Sequence, residues 1–560
     1  MEQKTTILGL FYLPNRSFHI PAYQRAYSWE KEKNFEQFFN DLTDQPKDKP
    51  YYLGHFLFEK LDNSEKYAII DGQQRMTTVV VFFSCMFDIL SKRDDLPKDF
   101  DFKDEIGFYL RKGDIIKLKT VDYDNNFFQN YIIDRNKISE TPDTSSQSRI
   151  ADAKTFFTEK LQKLTTVEII KLKSTLQSAD ITTFVVGSKE QAAQIFEFQN
   201  DRGKDLTNVE RLKAFFIYQI YLNSQTITDD IQFIENEFKA IYEQTEKIEM
   251  FEDDVLNYYC RAFYFGYNHE NVVKEIKKRF KNEKDKNNWI KQFCSGLRIA
   301  FKDIAEMQKY TNENQFSYLR DLRYLGRLAL CYPFLLKGWH LPLNDRERLF
   351  HFLENIVFRL KLINSRAEIE SRLNHFLINF SDVDTLVNEV KVQIRTNWWW
   401  FNYWGDNVIH DYIDSGGFYN NPVDNYLLWK YESSLKGNGY YVSFDTVEQE
   451  QVEHISPQTP TDNEPVANGY NEYTDEFKSD WLNCLGNIML ISKSNNCSLG
   501  NKPFSNKLSS YESNTALSQH LEIKSFVSDK NKPVWDIVAI EKRHKKLLEF
   551  AINYWNMDNI

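Results

Sequence analysis

A strand, a sharp turn and a buried helix are predicted at residues 67–90, and this stretch constrains the fold more than any other. Residues 67–70 are rich in β-forming side chains, whereas residues 79–90 form an apolar run. The pattern predicts a short buried strand, a turn at Gly72 and a helix that begins near Gln73. Such a junction directs the free N–H groups of the first helical turn at one point, where the helix dipole attracts anions.

Polar side chains crowd the start of this predicted helix. A common turn needs only Asp71 and Gly72, and Arg75 could merely pair with Asp71. More polar residues precede the apolar helix than a turn requires, so the pattern favours a phosphate or nucleotide site. The carboxylate, amide, guanidinium and hydroxyl groups at this site belong to Asp71, Gln73, Gln74, Arg75, Thr77 and Thr78.

The acidic charge of the chain restricts how it could hold nucleic acid. The formal net charge is −11, whereas proteins that bind nucleic acid over a broad surface are usually basic. A nucleic-acid site must therefore be a local patch, or a pocket that recognises more than backbone charge. The length of 560 residues exceeds what one hydrophobic core supports, so several domains are expected.

Cysteine usage and hydropathy indicate the compartment. The six cysteines are scattered without a C-x-x-C pair, which indicates a reducing environment rather than a disulfide framework. The apolar run at 7–13 is too short for a secretory signal, and the run at 79–90 is too short to span a bilayer. We therefore expect a cytoplasmic protein without a membrane partner.

Residues 18–29 place a polar pair, Gln24 and Arg25, between two tyrosines just ahead of a predicted helix. Ser28 is a suitable N-cap for that helix, whose apolar stripe is expected to face the core. In a purely structural interpretation, the tyrosines are core aromatics and Arg25 is a surface charge.

Further elements are predicted around this site. Residues 51–59 and 67–70 suggest a β-hairpin, in which Gly54 indicates a close backbone approach. Residues 181–186 are a third candidate strand. The segment 196–210 could be only a corner between two helices, the second of which opens with a capping box.

These N-terminal segments resemble the GmrSD-type proteins, which are modification-dependent, nucleotide-hydrolysing restriction factors of bacteria. Residues 71–78 read DGQQRMTT and depart from the DGQQR-(L)TT signature of that family only at Met76. Residues 20–29 (IPAYQRAYSW) and 196–207 (FEFQNDRGKDLT) match two further motifs in the same order. The resemblance covers about residues 7–220 and implies a ParB/sulfiredoxin-like α/β domain.

The resemblance also implies residue roles in that domain. Hydrolysis of GTP, UTP or ATP is expected to depend on Asp71, Gln74 and Arg75. Contacts to DNA are expected from Tyr23, Gln24 and Arg25. The implied nucleotide-binding residues are Arg25, Asp71, Gly72, Gln73, Gln74, Arg75, Thr77, Thr78, Asn200 and Arg202.

The middle of the chain, residues 208–395, is predicted to be helical almost throughout. It contains no catalytic spacing, so a helical connector is the preferred interpretation. The aromatic cluster at 398–404 could stack bases, although a packed domain interface is the favoured use of such residues.

A second constellation lies near the C-terminus. Glu453 and His454 end a predicted strand before the turn at Pro457, and residues 487–491 form a second strand ahead of Asn496. This ββα hairpin could hold one divalent cation, because Glu453 and Asn496 offer the oxygen ligands that Mg²⁺ or Mn²⁺ prefers. His454 is then free to act as a general base on water. A Glu-His pair alone is weak evidence, since a lone histidine is usually structural.

The spacing resembles the HNH (His-Me finger) nuclease domain that closes GmrSD-like proteins, and the tail GNKPFSNK at 500–507 matches as well. The final metal position is Asn rather than His in this chain. The resemblance implies roles as catalytic residues for His454 and Asn487, as metal ligands for Glu453 and Asn496, and as a phosphate contact for Lys507.

We therefore predict an α+β multidomain chain with a ParB/sulfiredoxin-like α/β sensor domain at 1–220, a helical connector at 221–405 and a ββα-metal HNH nuclease domain at 406–560. The predicted function is an NTP-regulated, metal-dependent DNA endonuclease that restricts modified phage DNA. The alternative is a nucleotide-binding regulator or abortive-infection toxin that acts by binding nucleic acid. The joint presence of Glu453, His454 and Asn496 favours the enzyme over the binding protein. A homodimer is one possible oligomeric state.

Overall fold

The chain divides into two compact units in a computed structural model. The first contains residues 1–257 and 270–305, and the second contains residues 258–269 and 306–560. The predicted boundaries at 220 and 405 do not coincide with this division, because the helices that follow residue 221 contribute to both units. The structure describes residues 2–46, 49–61, 65–136, 141–187, 206–268, 271–311, 317–364, 368–396, 402–435, 450–459, 473–502, 504–513 and 517–560.

The first unit is built on a six-stranded mixed sheet. Its strands are β1 (Glu2–Thr6), β2 (Ser17–His19), β3 (Tyr52–Leu61), β4 (Lys66–Asp71), β7 (Leu118–Lys119) and β8 (Asp180–Val186), and a separate ribbon is formed by β5 (Arg111–Lys112) and β6 (Ile115–Ile116). The strand order is β1-β8-β3-β4-β2-β7. β3 runs antiparallel to β4 and parallel to β8. The predicted hairpin and the predicted strand at 181–186 are therefore confirmed.

Helices cover this sheet, and one of them is almost wholly buried. The helices that begin in the first unit are α1 (Ile7–Phe11), α2 (Glu36–Thr43), α3 (Gln73–Leu90), α4 (Phe102–Tyr109), α5 (Asp122–Phe128), α6 (Ser145–Gln162), α7 (Thr166–Gln177), α8 (Asn208–Asn223), α9 (Ile227–Thr245), α10 (Glu252–Cys260), α11 (Val272–Lys281) and α12 (Lys286–Thr311). Two π-helical turns lie at Lys31–Phe35 and Gln129–Ile133. α3 packs into the main core of the unit, as its apolar run predicts.

The helix predicted to follow Ser28 begins later than expected. The π-helical turn Lys31–Phe35 precedes α2, and Glu30 occupies the N-cap of that turn. Ser28 does not cap it, because Ser28 lies two residues before this N-cap; its backbone N–H donates to Gln74 Oε1 at 2.8 Å. The predicted apolar stripe is confirmed, since the aromatic side chains of Phe35 and Phe38 are buried.

The second unit is mainly helical and contains one two-stranded sheet. β9 (Glu450–His454) pairs antiparallel with β10 (Ile488–Ser492). Its helices are α13 (Ser317–Leu325), α14 (Leu328–Gly338), α15 (Leu343–Ile363), α16 (Ile369–Asn379), α17 (Val383–Thr396), α18 (Asp406–Ile413), α19 (Asp424–Leu435), α20 (Lys493–Leu499), α21 (Phe504–Ser513), α22 (Ser518–Phe526) and α23 (Ile537–Tyr554). The remaining turns are the π-helical Arg261–Phe265 and Phe477–Trp481 and the 3-10 segments Asn402–Trp404, Leu485–Asn487 and Met557–Asn559. The order β9, β10, α20 is the predicted ββα arrangement.

Some predicted features lie outside the described residues. They include the helix from about 190, the motif residues up to 205, and residues 398–401 of the aromatic cluster. Thr207 is described and caps α8 through a reciprocal capping box with Glu210, as predicted. Within the described ranges, no helix combines the length and the apolar character needed to cross a bilayer.

Candidate functional site

The N-terminus of α3 opens into a cleft of about 500 Å³ in the first unit. Gly72 lies at its N-cap with φ +94°, and no described side chain caps the first turn of the helix. A Cβ at Gly72 would lie 2.4 Å from the Phe56 ring, so the tight turn requires glycine. The predicted strand-turn-helix junction is thus confirmed, and its amide groups and dipole favour an anion in the cleft.

Asp71 and Arg75 face this cleft as an ion pair. Arg75 Nη2 donates to Asp71 Oδ2 at 3.4 Å, and Nη1 donates to the Leu53 carbonyl at 3.3 Å. The guanidinium also lies 5.1 Å from the centre of the Phe56 ring. The ion pair between Arg75 and Asp71, one of the interpretations of the sequence, is therefore present, and Arg75 is held at the cleft wall.

His55 is a neighbour of Asp71 that the sequence interpretation missed. Its Nε2 atom lies 3.5 Å from Asp71 Oδ2, and the half-exposed imidazole lines the cleft. Only the pairing of β3 with β4 brings these two residues together, and no local pattern around His55 signals it.

Gln74 lines the cleft, and both ends of its side-chain amide already have backbone partners. Its Oε1 accepts from the Ser28 N–H at 2.8 Å, and its Nε2 donates to the Ala26 carbonyl at 2.9 Å. Both ends of the amide thus hold the backbone of the preceding loop. Gln73 lines the cleft but is largely buried.

Thr77 and Thr78 do not reach the cleft, in contrast to the prediction. Their hydroxyls donate to the carbonyls one turn earlier, at 2.8 Å and 2.9 Å, as buried helical threonines often do. Thr78 also bonds to the Tyr27 hydroxyl at 2.8 Å. Both side chains therefore belong to the core behind the site. Asn200 and Arg202, the other predicted nucleotide contacts, lie outside the described residues.

The three residues predicted to contact DNA are placed differently from one another. Arg25 lines the cleft, and its Nε lies 3.6 Å from Glu252 Oε2. Gln24 is only 5% exposed, donates to the Ile70 carbonyl at 3.0 Å and accepts from Lys213 at 3.3 Å. The structure thus corrects the prediction that Gln24 contacts DNA, because its buried amide links the Ile70 carbonyl to Lys213. Burial raises the pKa of Tyr23 well above its usual value, so its hydroxyl stays neutral.

The remaining polar wall of the cleft comes from the loop before α2 and from α2 itself. These residues were not singled out in the sequence, although they occupy the polar face opposite the predicted apolar stripe. They are Glu30, Lys33, Asn34, Gln37 and Asp41, and Glu210 joins them from α8. Both cationic and carboxylate side chains therefore line the cleft.

In the second unit, β9 and β10 bring the C-terminal motif together. His454 pairs with Ile488, and Glu453 pairs with Met489. Asn487 precedes β10 rather than beginning it. Its side chain is 0% exposed, accepts from the Ser456 N–H at 2.9 Å and donates to the Leu482 carbonyl at 2.8 Å. The predicted catalytic role of Asn487 is thus corrected to a structural one, in which it ties the two strands together.

His454 is held at the end of β9 by a partner that the sequence did not indicate. Its Nε2 lies 2.9 Å from Asn483 Oδ1, and the Tyr419 ring packs edge-on against it at 4.4 Å. Burial lowers the pKa of His454 to about 4, so the imidazole is neutral at pH 7. An amide oxygen only accepts, so Nε2 carries the proton and Nδ1 is the atom left to accept one.

The predicted metal ligands do not fit a divalent cation as they stand. Lys507 Nζ donates to Glu453 Oε1 at 2.7 Å, and Asn496 Nδ2 donates to Gln451 at 2.6 Å. Among the described residues, no group of three His, Cys, Asp or Glu side chains could hold a metal ion. Lys507 itself is 0% exposed, so the structure does not place it as the predicted phosphate contact.

Comparison with known families matches both ends of the chain. The family model described as GmrSD restriction endonuclease, N-terminal domain, matches residues 7–217. The family model described as GmrSD restriction endonucleases, C-terminal domain, matches residues 405–550. A comparison with curated proteins finds no match.

Proposed function

This chain belongs to the GmrSD restriction endonucleases, and from that premise we propose that it is an NTP-regulated DNA endonuclease directed against modified phage DNA. The cleft of the first unit binds and hydrolyses the nucleotide. The ββα hairpin of the second unit, taken as an HNH site, cleaves DNA. The observation that carries the proposal is the N-terminus of α3, which has no side-chain cap within the described part of the chain and opens into a cleft of nucleotide size.

The nucleotide would place its phosphates at the first turn of α3. Arg25, Lys33 and Arg75 line the same cleft and supply positive charge. Asp71 lies beside them with His55 at 3.5 Å, where a carboxylate and an imidazole can orient water. Gln74 contributes indirectly, because it fixes the loop that carries Arg25.

In the C-terminal site, His454 would accept a proton from the attacking water. Its neutral imidazole is the form that a general base needs, and the bond to Asn483 leaves Nδ1 for that task. The metal requirement predicted from Glu453 and Asn496 remains part of the proposal. In this structure Glu453 Oε1 is bound to Lys507.

The alternative function is a nucleotide-binding regulator or abortive-infection toxin that binds nucleic acid without cutting it. The buried, paired state of Glu453 is compatible with such a role. The oriented His454 favours the nuclease, because a binding module has no need for an imidazole whose tautomer is fixed by Asn483.

A histidine substitution tests the proposal. His454→Ala should reduce DNA cleavage by roughly two to four orders of magnitude, the usual contribution of a general base. NTP hydrolysis should be unchanged, because Asp71 and Arg75 lie in the other unit. His410→Ala, at an exposed histidine on α18, is the matched control and should cleave normally. Full cleavage by the His454 variant would exclude the nuclease assignment.

A further inference from the structure

The segment around α11 is strongly basic in an otherwise acidic chain. Residues 274–286 contain seven Lys or Arg and three Asp or Glu, a net charge of +4 in a protein whose total is −11. α11 forms most of this segment and belongs to the first unit, which also contains the candidate nucleotide cleft. None of these seven cations, all in the described part of the chain, lines that cleft.

The cations of α11 are concentrated on the face that points away from the core. Ile276 and Phe280 are buried and mark the inner face. Lys274, Lys278 and Lys281 are exposed. Their spacing of i, i+4 and i+7 places them together on the opposite side of a helix with 3.6 residues per turn. We call these three side chains the lysine stripe.

The buried face of α11 packs on α8. The Phe280 ring contacts the Phe215 ring edge-on at 5.2 Å, and Lys277 Nζ lies 4.8 Å from the centre of the same Phe215 ring. Glu210, near the start of α8, lines the nucleotide cleft. One helix therefore contacts both the cleft and the element that carries the lysine stripe.

Helix stability alone does not account for the lysine stripe. The helix dipole favours cations in the last turn, where Lys278 and Lys281 lie, but disfavours Lys274 in the first turn. Lys274 and Lys278 are also like charges at i, i+4, which repel each other. Lys278 Nζ lies 3.8 Å from Glu275 Oε2, but this lysine side chain is 73% exposed, so water and salt screen the pair. A concentration of positive charge that opposes helix stability indicates an anionic ligand.

The length of the lysine stripe suits the backbone of duplex DNA. From Lys274 to Lys281 the helix rises roughly 10 Å, at about 1.5 Å per residue. One DNA strand presents a phosphate about every 3.4 Å along the duplex axis, so this length corresponds to about three phosphates. Lysine contacts to phosphates position a protein on DNA without reading the sequence.

We propose that the lysine stripe of α11 binds the phosphate backbone of duplex DNA and holds the duplex on the first unit. The inference rests on the proposed function, because it takes DNA as the substrate. The contact depends neither on sequence nor on a chemical mark, so it is separate from the recognition of modified DNA.

The salt dependence of DNA binding by the full chain tests the proposal. A labelled, unmodified DNA duplex is titrated by fluorescence anisotropy at several salt concentrations, without nucleotide or divalent cations. For the triple variant Lys274→Ala, Lys278→Ala, Lys281→Ala, the slope of log K against log salt should become shallower by about 2.7, since each phosphate contact contributes about 0.9. A slope equal to that of the wild type would overturn the proposal.

A second triple variant with the same change in net charge is the matched control. Lys98→Ala, Lys163→Ala and Lys171→Ala remove three exposed lysines from the same unit, none of which belongs to α11. The slope of this control should differ from that of the wild type by less than about one phosphate contact. An equal loss of slope in both triple variants would overturn the proposal, because the effect would then follow net charge alone.

Protection of the lysines in the wild type gives a measurement that needs no variant. Acylation followed by mass spectrometry should label the lysine stripe less when the DNA duplex is bound, whereas labelling of Lys171 should stay the same. Bound DNA that leaves the lysine stripe fully labelled would contradict the proposal. The triple variant of α11 should itself fold, because alanine has the highest helix propensity and the repulsion between the lysines is removed.

Vesicles and a cleavage assay separate the remaining outcomes. Vesicles that contain an anionic lipid present the other common surface that attracts clustered lysines. Binding to vesicles through the lysine stripe, without binding to DNA through it, would overturn the proposal. Cleavage of DNA by a wild type whose DNA binding does not depend on the lysine stripe would overturn the inference and leave the nuclease assignment intact. Binding of DNA through the lysine stripe without cleavage of any DNA would support the inference and count against the nuclease.

Discussion

Glu252 is a buried carboxyl residue beside Arg25, which lines the N-terminal cleft. It is 3% exposed, and neither carboxylate oxygen has a hydrogen-bond partner among the described residues. Arg25 Nε approaches it only to 3.6 Å. Burial raises the pKa of Glu252 to about 7; the charge of Arg25 opposes this shift, whereas Glu210 adds to it.

This raised pKa predicts how stability changes with pH. Folded Glu252 holds its proton up to about pH 7, whereas the unfolded residue releases it near pH 4.5. The unfolded state therefore binds fewer protons in this window, and the contribution of Glu252 to stability falls as pH rises, by up to about 3 kcal/mol. Glu252→Gln should lack this loss between pH 4.5 and 8. Hydrogen exchange of α3 peptides in urea measures the stability of both proteins as a function of pH. Identical pH dependences of the wild type and Glu252→Gln would contradict the prediction.

At the scale of elements, β3 and α3 meet where Gly54 faces Arg75. Gly54 has φ +106°, and a Cβ there would lie 2.0 Å from Arg75 Nη1. The close approach predicted at Gly54 is therefore present, and the group that approaches is the Arg75 guanidinium. β3 therefore sets the position of the Arg75 side chain, which belongs to α3.

Gly54→Ala should displace Arg75 and reduce NTP hydrolysis by about a hundredfold, as misplacement of a catalytic group often does. Gly113→Ala is the matched control, because Gly113 also has positive φ, +59°, but nothing lies within 4 Å of its Cβ position. Both variants should lose about 1–2 kcal/mol of stability through backbone strain, measured by denaturant unfolding. Only Gly54→Ala should lose hydrolysis, and equal activities of the two variants would disprove the steric argument.

The sequence predicted these elements better than it predicted the contacts between them. The turn at Gly72 and the buried α3 follow from local pattern, because glycine content and apolar period act within a few residues. His55 and Lys507 depend on which strand or helix packs alongside, and nothing near them in the sequence signals that. Gln74 was interpreted as a free polar group, although its backbone partners are almost fifty residues away in sequence.

At the scale of the whole molecule, one acidic chain carries a candidate nucleotide cleft and a candidate nuclease site in separate compact units. Attraction to the DNA backbone alone is weak for a protein of net charge −11. We therefore expect that recognition of a chemical mark, rather than general affinity for DNA, controls cleavage. Coupling by a population shift requires that the nucleotide binds one conformational state better than the other.

Arg75→Ala tests this coupling, since it removes a charge from the cleft and leaves His454 and Glu453 untouched. NTP hydrolysis should be abolished, and restriction of modified phage should fall at least about tenfold, which corresponds to a coupling free energy in the usual range. Arg211→Ala, at an exposed arginine on α8, is the control and should restrict normally. Cleavage of marked and unmarked DNA by the wild type is then measured with and without NTP. Marked DNA with NTP should be cut fastest, and four equal rates would show that the nucleotide cleft does not gate the nuclease.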